Sequence, residues 1–232
     1  MRAEDAPEIR DLDLFREMSA ESFEALMRGA YLQTFPPRVQ IVTEGDPADF
    51  LHVVVEGSVE MFAGWQGNDT SMALVYPVST FILAATIRDQ PYLMSGRTIE
   101  KTRLILIPSE DVRAVFQDDA AFARATVREL AARYRGMVKT VKDLKLRNSA
   151  ERLANYLLAR AAEAGGAPEF LLRIEKRRLA SLLGMTPENL SRAIRTLADR
   201  GVEVRGARVK VSDGAALRHF ARPDPLIDDP AS

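Results

Sequence analysis

Three polar side chains that can recognise nucleic-acid bases lie close together in the stretch TPENLSR, Thr186 to Arg192. Glu188, Ser191 and Arg192 are three and four positions apart, so a helix would place them on one face. Arg192 can donate two hydrogen bonds to guanine O6 and N7, Glu188 can accept one from a cytosine amino group, and Ser191 suits a contact beside thymine. The spacing therefore predicts a surface that reads base edges in the DNA major groove.

The residues around this motif have the pattern of two short helices joined by a turn. Thr186 followed by Pro187 is typical of a helix start, with a capping side chain and then a proline in the first turn. Gly184 supplies the tight turn before it. Apolar residues at helical spacing define the expected buried faces of the two helices: Leu179, Leu182 and Leu183, then Leu190, Ile194 and Leu197. A helix-turn-helix is thus predicted, with the second helix as the recognition helix.

Beyond Gly201, the sequence VEVRGARVKVSD alternates apolar and polar residues around a turn at residues 205–208, which predicts a β-hairpin wing. Its cations are suited to phosphates, so they should supply affinity and salt dependence rather than sequence choice. The predicted DNA-backbone contacts are Thr186, Arg195, Arg205, Arg208, Lys210 and Lys176, and the predicted base contacts remain Glu188, Ser191 and Arg192.

The sequence contains no arrangement that supports catalysis or metal binding. The 232-residue chain has no cysteine, which excludes disulfides and thiolate metal sites. Its two histidines, His52 and His219, are far apart, and no glycine-rich phosphate loop is present. The carboxylates Glu56 and Glu60 are expected at solvated strand ends. We therefore predict that the protein is not an enzyme, with no catalytic residue and no bound metal.

The formal net charge is −1, but acidic and basic residues are distributed unevenly along the chain. Residues 1–116 hold 10 basic against 18 acidic side chains, a balance of −8, whereas residues 117–148 hold 8 against 4 and residues 149–222 hold 14 against 8. Basic surface attracts the DNA backbone. The rear of the chain is therefore the expected DNA-binding part.

The chain has no run of about 18 apolar residues, and its first residues, MRAEDAPEIRD, contain no apolar signal-peptide core. We expect a cytoplasmic protein without a membrane partner. The segment RPDPLIDDPAS is rich in proline and aspartate, so residues 223–232 are expected to form a loose tail.

The N-terminal half of the chain has the sequence pattern of a β domain. After a short helix in SAESFEALMRGA, capped by Ser19, β-branched segments alternate with turns in YLQTF, VQIVTEG, FLHVVVEGSVEMFAGW, SMALVYPVSTFILAAT and RTIEKTRLILIP. The regular spacing predicts an antiparallel barrel or a double-sheet roll. A helix over residues 109–119 follows.

The strongest periodic signal is a heptad pattern in which apolar residues step by three and four from Ala120 to Leu144. Its length, with basic residues kept off the apolar face, favours a long helix packed on a second copy of itself. The alternative is a helix lying on its own β domain. The predicted dimer contacts are Val127, Leu130, Tyr134, Met137, Val141 and Leu144. Another helix, capped by Asn148 or Ser149, ends before Gly165 and Gly166.

This arrangement resembles the CRP/FNR superfamily of bacterial transcription regulators over nearly the whole chain. IVTEGDPADFLHVVVEGSVEMF is similar to the family's β-roll, with Gly45 and Gly57 at turn positions. The resemblance implies an α+β fold with a jelly-roll-like double-stranded β-roll sensor (1–117), a dimerisation helix (118–146), a winged helix-turn-helix DNA-binding domain (147–222) and a tail (223–232).

Within the recognition helix, TPENLSR resembles the fumarate-nitrate regulator subgroup, whose pattern is Glu, two residues, Ser, Arg. The resemblance implies that Glu188, Ser191 and Arg192 read a TTGAT-like half-site in an inverted repeat. It also implies a homodimeric activator, with double-stranded DNA and a second copy as partners, RNA polymerase as a further candidate partner, and an unknown small-molecule effector.

The sensor sequence departs from the cyclic-nucleotide-binding members of the family. STFILAATIRDQPYLMSGRTIE has Leu83 and Ala84 in place of the Gly-Glu pair, Thr86 for another glycine and Met94 for the phosphate-binding arginine. We therefore expect neither cyclic AMP nor cyclic GMP, since a buried phosphate needs a well-aimed cation and amide groups.

An apolar effector pocket is one interpretation of this region, and a plain core is the other. The candidate pocket residues are Phe81, Leu83, Ile87, Met94 and Arg97, with the single Trp65 nearby. Haem is disfavoured because His52, in a strand and expected to be partly buried, His219 and methionines are its only ligand candidates. No cofactor is thus predicted.

The alternatives to this interpretation are a cyclic-nucleotide- or haem-binding regulator of the same fold, a regulator without an effector, and a ligand-binding β-roll protein that does not bind DNA.

Overall fold

The computed structural model describes residues 7–172 and 174–229 of the chain. The chain divides into two compact units, residues 1–133 and residues 134–232, and the division falls inside one long helix. The first six and last three residues, which belong to the predicted sensor and tail, lie outside the described residues.

The first unit is built mainly from two antiparallel sheets. Its elements are α1 (Pro7–Arg10), α2 (Ala20–Gly29), β1 (Tyr31–Phe35), β2 (Gln40–Val42), β3 (Phe50–Glu56), β4 (Val59–Trp65), β5 (Asn68–Val75), β6 (Ser79–Phe81), α3 (Leu83–Arg88), β7 (Ser95–Thr98), β8 (Thr102–Pro108), α4 (Ser109–Asp118) and the start of α5 (Ala120–Leu146). The strand orders are β1-β8-β3-β6 and β2-β7-β4-β5. The predicted double-sheet roll is confirmed.

Strand β3 is buried on both faces, which explains its unbroken apolar sequence. Val54 faces a core that also holds Met61 of β4 and Phe81 of β6. Val53 faces a second core shared with Phe23 of α2 and with the later helices. Because successive strand residues point to opposite faces, this one strand supports both cores.

The turn between β3 and β4 depends on Gly57, whose φ of +78° favours glycine. A Cβ there would lie 2.5 Å from the Lys101 carbonyl oxygen and 2.8 Å from Thr102 Cα. We expect Gly57→Ala to lower the free energy of unfolding by about 2 kcal/mol, from strain and backbone displacement together. Gly45→Ala is the matched control.

Gly45 has φ +89°, but a Cβ added there would have no atom within 4 Å, so its substitution should cost only the strain, about 1 kcal/mol. Urea unfolding of both variants measures the difference. Equal losses at the two positions would show that the close approach of residues 101–102 to Gly57 does not limit stability.

Three expectations for the sensor are wrong. Residues 83–88, within a segment expected to be strand, form helix α3, which begins after Ile82 at φ 70°. Trp65 ends β4 and is 77% exposed, so it belongs to neither a core nor a pocket. Glu60 is 1% exposed rather than solvated, whereas Glu56 lies at an exposed strand end as expected.

The burial of Glu60 is explained by its partners on neighbouring strands. Arg97 of β7 donates to its Oε2 at 2.8 Å, and the Ser71 hydroxyl of β5 donates to Oε1. Arg97 also bonds Asp69 at 2.7 Å and lies 4.1 Å from the centre of the Phe62 ring. Although burial opposes it, hydrogen bonding to Glu60 and Asp69 raises the pKa of Arg97.

Helix α5 begins at a cap formed by Asp119, which accepts hydrogen bonds from the Ala121 and Phe122 N–H groups at 2.9 Å. Phe122 and Ala125 are buried in the sensor core. Arg133 donates to the Thr80 carbonyl of β6 at 2.8 Å. The first turns of α5 therefore do pack on their own β domain.

The second unit combines helices with a three-stranded sheet. Its elements after α5 are α6 (Ser149–Glu163), β9 (Glu169–Leu171), α7 (Lys176–Leu182), α8 (Pro187–Ala198), β10 (Val202–Arg205), β11 (Arg208–Val211), α9 (Gly214–Ala221) and α10 (Pro225–Asp228). The strand order is β10-β11-β9, so the predicted wing gains a third strand. One core joins α6 to α9 with the three strands, and α10 contributes no buried residue.

Helix α6 starts with a capping box, which decides between the two predicted caps. The Asn148 side chain accepts from the Glu151 N–H at 3.0 Å, and the Glu151 carboxylate accepts from the Asn148 N–H at 2.9 Å. The expectation of a loose tail is wrong for residues 224–229, because α10 forms there and Asp228 pairs with Arg147.

Candidate nucleic-acid interface

Helices α7 and α8 form the predicted helix-turn-helix. Gly184 makes the turn at φ +60°, and Thr186 caps α8 by accepting a hydrogen bond from the Asn189 N–H at 3.2 Å. Leu190 and Leu197 of α8 are buried, and Ile194 packs partly buried beside them. Burial of this apolar face leaves the opposite, polar face of α8 exposed.

Glu188 lies fully exposed in the first turn of α8. Its own backbone N–H, the Thr186 side chain and the nearby charge of Arg192 lower the pKa of the Glu188 carboxyl. The carboxylate is therefore held ionised at the helix N-terminus, as an acceptor for an amino group needs.

Ser191 donates its hydroxyl hydrogen to the Pro187 carbonyl at 2.9 Å. The hydroxyl oxygen keeps lone pairs that can accept a hydrogen bond. Ser191 and Glu188 are both exposed on α8. With the Ser191 hydrogen bonded to Pro187, both side chains offer acceptors in this conformation, so a donor would come from another side chain.

That donor is Arg192, which is exposed and bonded to the side-chain oxygen of Asn189 one turn earlier. Asn189 was not among the predicted site residues, although its place beside Glu188 in the motif was visible in the sequence. The pair holds the guanidinium near the front of α8, where a recognition helix meets base edges.

The wing carries its cations beside acidic partners. Arg205 Nε donates to Glu203 Oε1 at 2.7 Å, and Arg208 Nη1 donates to Glu169 Oε1 at 2.7 Å. Lys210 lies opposite both glutamates in the strand register. Neither glutamate was among the predicted site residues: Glu169 belongs to β9, a strand that the sequence pattern did not predict, whereas Glu203 was visible within the predicted wing.

The other predicted backbone contacts lie at or near the ends of the two helices. Lys176 is the first residue of α7 and Arg195 lies in the last turn of α8, and both are exposed. The hydroxyl of Thr186 is engaged as the α8 cap. The contacts of all these residues with DNA stay predictions.

The predicted effector residues lie in three different surroundings within the sensor, and their role as a pocket stays a prediction. Phe81 and Met94 pack in the core between the sheets, while Leu83 and Ile87 pack in the core on the helical side. Arg97 is engaged with Glu60 and Asp69. The five residues are thus distributed over two cores and one ion-pair cluster.

His52 is 3% exposed, more buried than expected. Its ring stacks on Phe81 at a centroid distance of 4.9 Å and meets the edge of Tyr92 at 6.4 Å. Its Nδ1 has no hydrogen-bond partner among the described residues, and burial lowers the pKa of His52 to about 4.

The predicted dimer contacts share one face of α5. Leu130 packs partly buried against the sensor core. The other five are large apolar side chains that are 43–69% exposed in the single chain: Val127, Tyr134, Met137, Val141 and Leu144. Such an apolar row along 18 residues of helix is typical of a surface that is covered by a partner.

Within residues 7–172 and 174–229, no helix is long and apolar enough to cross a membrane. The same residues contain no group of three or more histidine, aspartate or glutamate side chains placed to hold a metal ion.

Comparison with known protein families finds one domain family that matches within each unit. Residues 32–119 match the cyclic nucleotide-binding domain, and residues 151–220 match the Crp-like helix-turn-helix domain. The second match contains α7, α8 and the wing.

Comparison with individual proteins finds relatives of similar length. The CRP-like cAMP-activated global transcriptional regulator of Mycobacterium tuberculosis is 24% identical over 215 residues, covering 90% of this chain and 96% of the relative. The cyclic AMP receptor protein of Thermus thermophilus is 26% identical over 210 residues, with the same coverage. The structure of FixK2 from Bradyrhizobium japonicum shares the fold, with a TM-score of 0.71 and 21% identity over 84% of this chain and 98% of that one.

Proposed function

Because the chain belongs to the CRP/FNR superfamily of transcription regulators, we propose that it binds a TTGAT-like inverted repeat as a homodimer, and that its sensor domain controls DNA-binding competence. The boundaries proposed for its domains are residues 1–117, 118–146, 147–222 and 223–232. A protein with this role acts where DNA is, in the cytoplasm, and RNA polymerase is its expected further partner.

The exposed face of α8 carries this proposal. Glu188, Ser191 and Arg192 lie together on it, with an ionised acceptor, a free hydroxyl lone pair and a guanidinium held by Asn189. This set matches the cytosine, thymine and guanine contacts of a major-groove reader. The adjoining wing supplies Arg205, Arg208 and Lys210 for phosphates.

The apolar face of α5 supports the homodimer. A two-fold symmetric dimer presents two recognition helices to two half-sites about one helical turn of DNA apart, so the binding site should be an inverted repeat. Sensor control then requires a second conformation with different DNA affinity, which an effector or its removal would favour.

We propose that the effector is not a cyclic nucleotide, although two relatives are named for cyclic AMP. Leu83 and Thr86 stand where the cyclic-nucleotide-binding members have glycines in their phosphate-binding segment, and both are buried. Met94 packs in the core at the position where those members have an arginine. Arg97 is paired with two carboxylates. A cyclic phosphate would therefore meet a methionine and an arginine that is already neutralised, rather than a cation available to bind it.

Arg192→Ala should weaken binding to the TTGAT inverted repeat by about 1–3 kcal/mol and relax the preference for guanine, because a bidentate base contact is lost. Arg208→Ala should weaken all sequences alike and reduce the dependence of affinity on salt, because only a phosphate contact is lost. Fluorescence anisotropy on the repeat and on a scrambled duplex, at several salt concentrations, measures both effects.

Arg160→Ala is the control, since Arg160 lies on α6 in an ion pair with Glu163 and is not among the predicted DNA contacts. Equal losses for the Arg192 and Arg208 variants on both duplexes would contradict the assigned roles. A wild-type protein without DNA affinity at low salt would instead favour a ligand-binding β-roll protein of another function.

A further inference from the structure

Residues 224–229 lie on the outer face of the second half of α5, and three contacts hold them there. Lys139 Nζ donates to the Asp229 carbonyl at 2.7 Å, and Lys142 Nζ lies 3.8 Å from Asp224 Oδ2. The third contact is the ion pair between Arg147 and Asp228, in which both guanidinium Nη atoms bond to the carboxylate, at 2.8 and 2.5 Å.

The Arg147 pair is the strongest of these contacts. The Arg147 side chain is only 8% exposed, and it also bonds Asp143 at 2.9 Å. Hydrogen bonding to Asp228, with that to Asp143, raises the pKa of Arg147 despite its burial. A partly buried, bidentate arginine–carboxylate pair is held more firmly than an exposed one.

Arg147 occupies the joint between α5 and α6, and its backbone is held as well as its side chain. The buried Arg152 of α6 donates to the Arg147 carbonyl at 2.6 Å. The same guanidinium donates to Leu183 O at 2.8 Å and Gly184 O at 3.2 Å, in the turn before α8. A continuous set of bonds thus runs from residue 228 through the joint to the helix-turn-helix.

The contacts of residues 224–229 avoid the predicted dimer face. Lys139 and Lys142 lie two and one positions from Met137 and Val141 along the chain, but the heptad places them on the opposite side of α5. Binding of residues 224–229 therefore does not compete with a second copy of the helix.

We propose that residues 224–229 form a C-terminal clasp that stabilises the joint between α5 and α6. By limiting motion at this joint, the clasp fixes the orientation of α8 relative to the second half of α5. The consequence for DNA rests on the proposed function. A dimer must place two recognition helices at once, so a braced joint lowers the ordering cost of binding the second half-site.

The test uses Asp228→Asn and a variant that stops after Arg222, which keeps α9 and its bond from Asn155 to Ala221 O. Hydrogen exchange of the amides of residues 143–152, measured by mass spectrometry on the full dimer, should become about ten-fold faster in both variants, because charged hydrogen bonds no longer oppose local opening. Glu163→Gln, which breaks an exposed ion pair on α6, is the control and should leave this exchange unchanged.

On DNA, both variants should bind the inverted repeat about ten-fold more weakly while keeping wild-type affinity for a single half-site. Unchanged hydrogen exchange at residues 143–152 would overturn the clasp. Tighter binding of the variants to the repeat would overturn the bracing role, since it would show that residues 224–229 hold the helix-turn-helix in an orientation that disfavours DNA. The exchange measurement needs no DNA, so it decides the clasp even where the proposed half-site is wrong.

Discussion

Met137→Glu is expected to convert the protein to a monomer. Met137 is 68% exposed in the single chain and lies at the centre of the apolar row between Tyr134 and Val141. In a symmetric dimer, each glutamate would be brought next to its own copy and away from water, which is costly for both. We expect the dimer dissociation constant to rise about 1,000-fold, which sedimentation velocity can measure.

The same variant should bind the inverted repeat no more tightly than a single half-site. Because the Met137 side chain is largely exposed in the single chain, circular dichroism should be unchanged. Arg135→Glu places a glutamate on the same helix but off the apolar row, and it should remain a dimer. A Met137→Glu protein that is still dimeric would show that copies associate through another surface.

Acid should destabilise the sensor through His52. Burial lowers its pKa to about 4 in the folded chain, against about 6.5 when unfolded. The unfolded state therefore binds the proton more readily, so the stabilising contribution is complete above pH 6.5 and is lost as the pH falls toward 4. The loss is about 1.4 kcal/mol per pH unit, or about 3 kcal/mol over this window.

His52→Gln removes this titration, since glutamine stays neutral. Urea unfolding followed by circular dichroism from pH 7 to pH 4 should show a shallower loss of stability in this variant than in the wild type. His219→Gln, which removes the exposed histidine of α9, serves as the control. Parallel curves for His52→Gln and the wild type would exclude His52 as the source of acid sensitivity.

Local patterns in the sequence were enough to predict the double-sheet roll, the long helix and the helix-turn-helix. The face of α8 could be predicted for the same reason, because Glu188, Ser191 and Arg192 are separated by less than two turns. A helical repeat or a strand alternation can be recognised within about ten residues, and so can caps such as Thr186–Pro187. Such features can therefore be predicted without knowledge of distant contacts.

The features that were missed depend on partners far away in the chain. Glu60 is buried because Arg97, 37 residues later, neutralises it, and residues 224–229 are ordered by Arg147, which precedes Asp228 by 81 residues. Helix α3 was missed because Ile82 takes a left-handed conformation that a β-branched residue rarely adopts, and this ends the strand.

The glutamates of the wing affect how the protein would search a genome. Arg205 and Arg208 are paired with Glu203 and Glu169, so each phosphate contact must first break an exposed ion pair, at a cost of about 0.5 kcal/mol. This cost would be the same on every sequence, whereas the proposed Arg192 contact with guanine would be gained only at a target. Non-target sites outnumber targets by about a million-fold or more. If the proposed contacts form, the glutamates would therefore shorten each residence on non-target DNA without reducing the discrimination between target and non-target sequences.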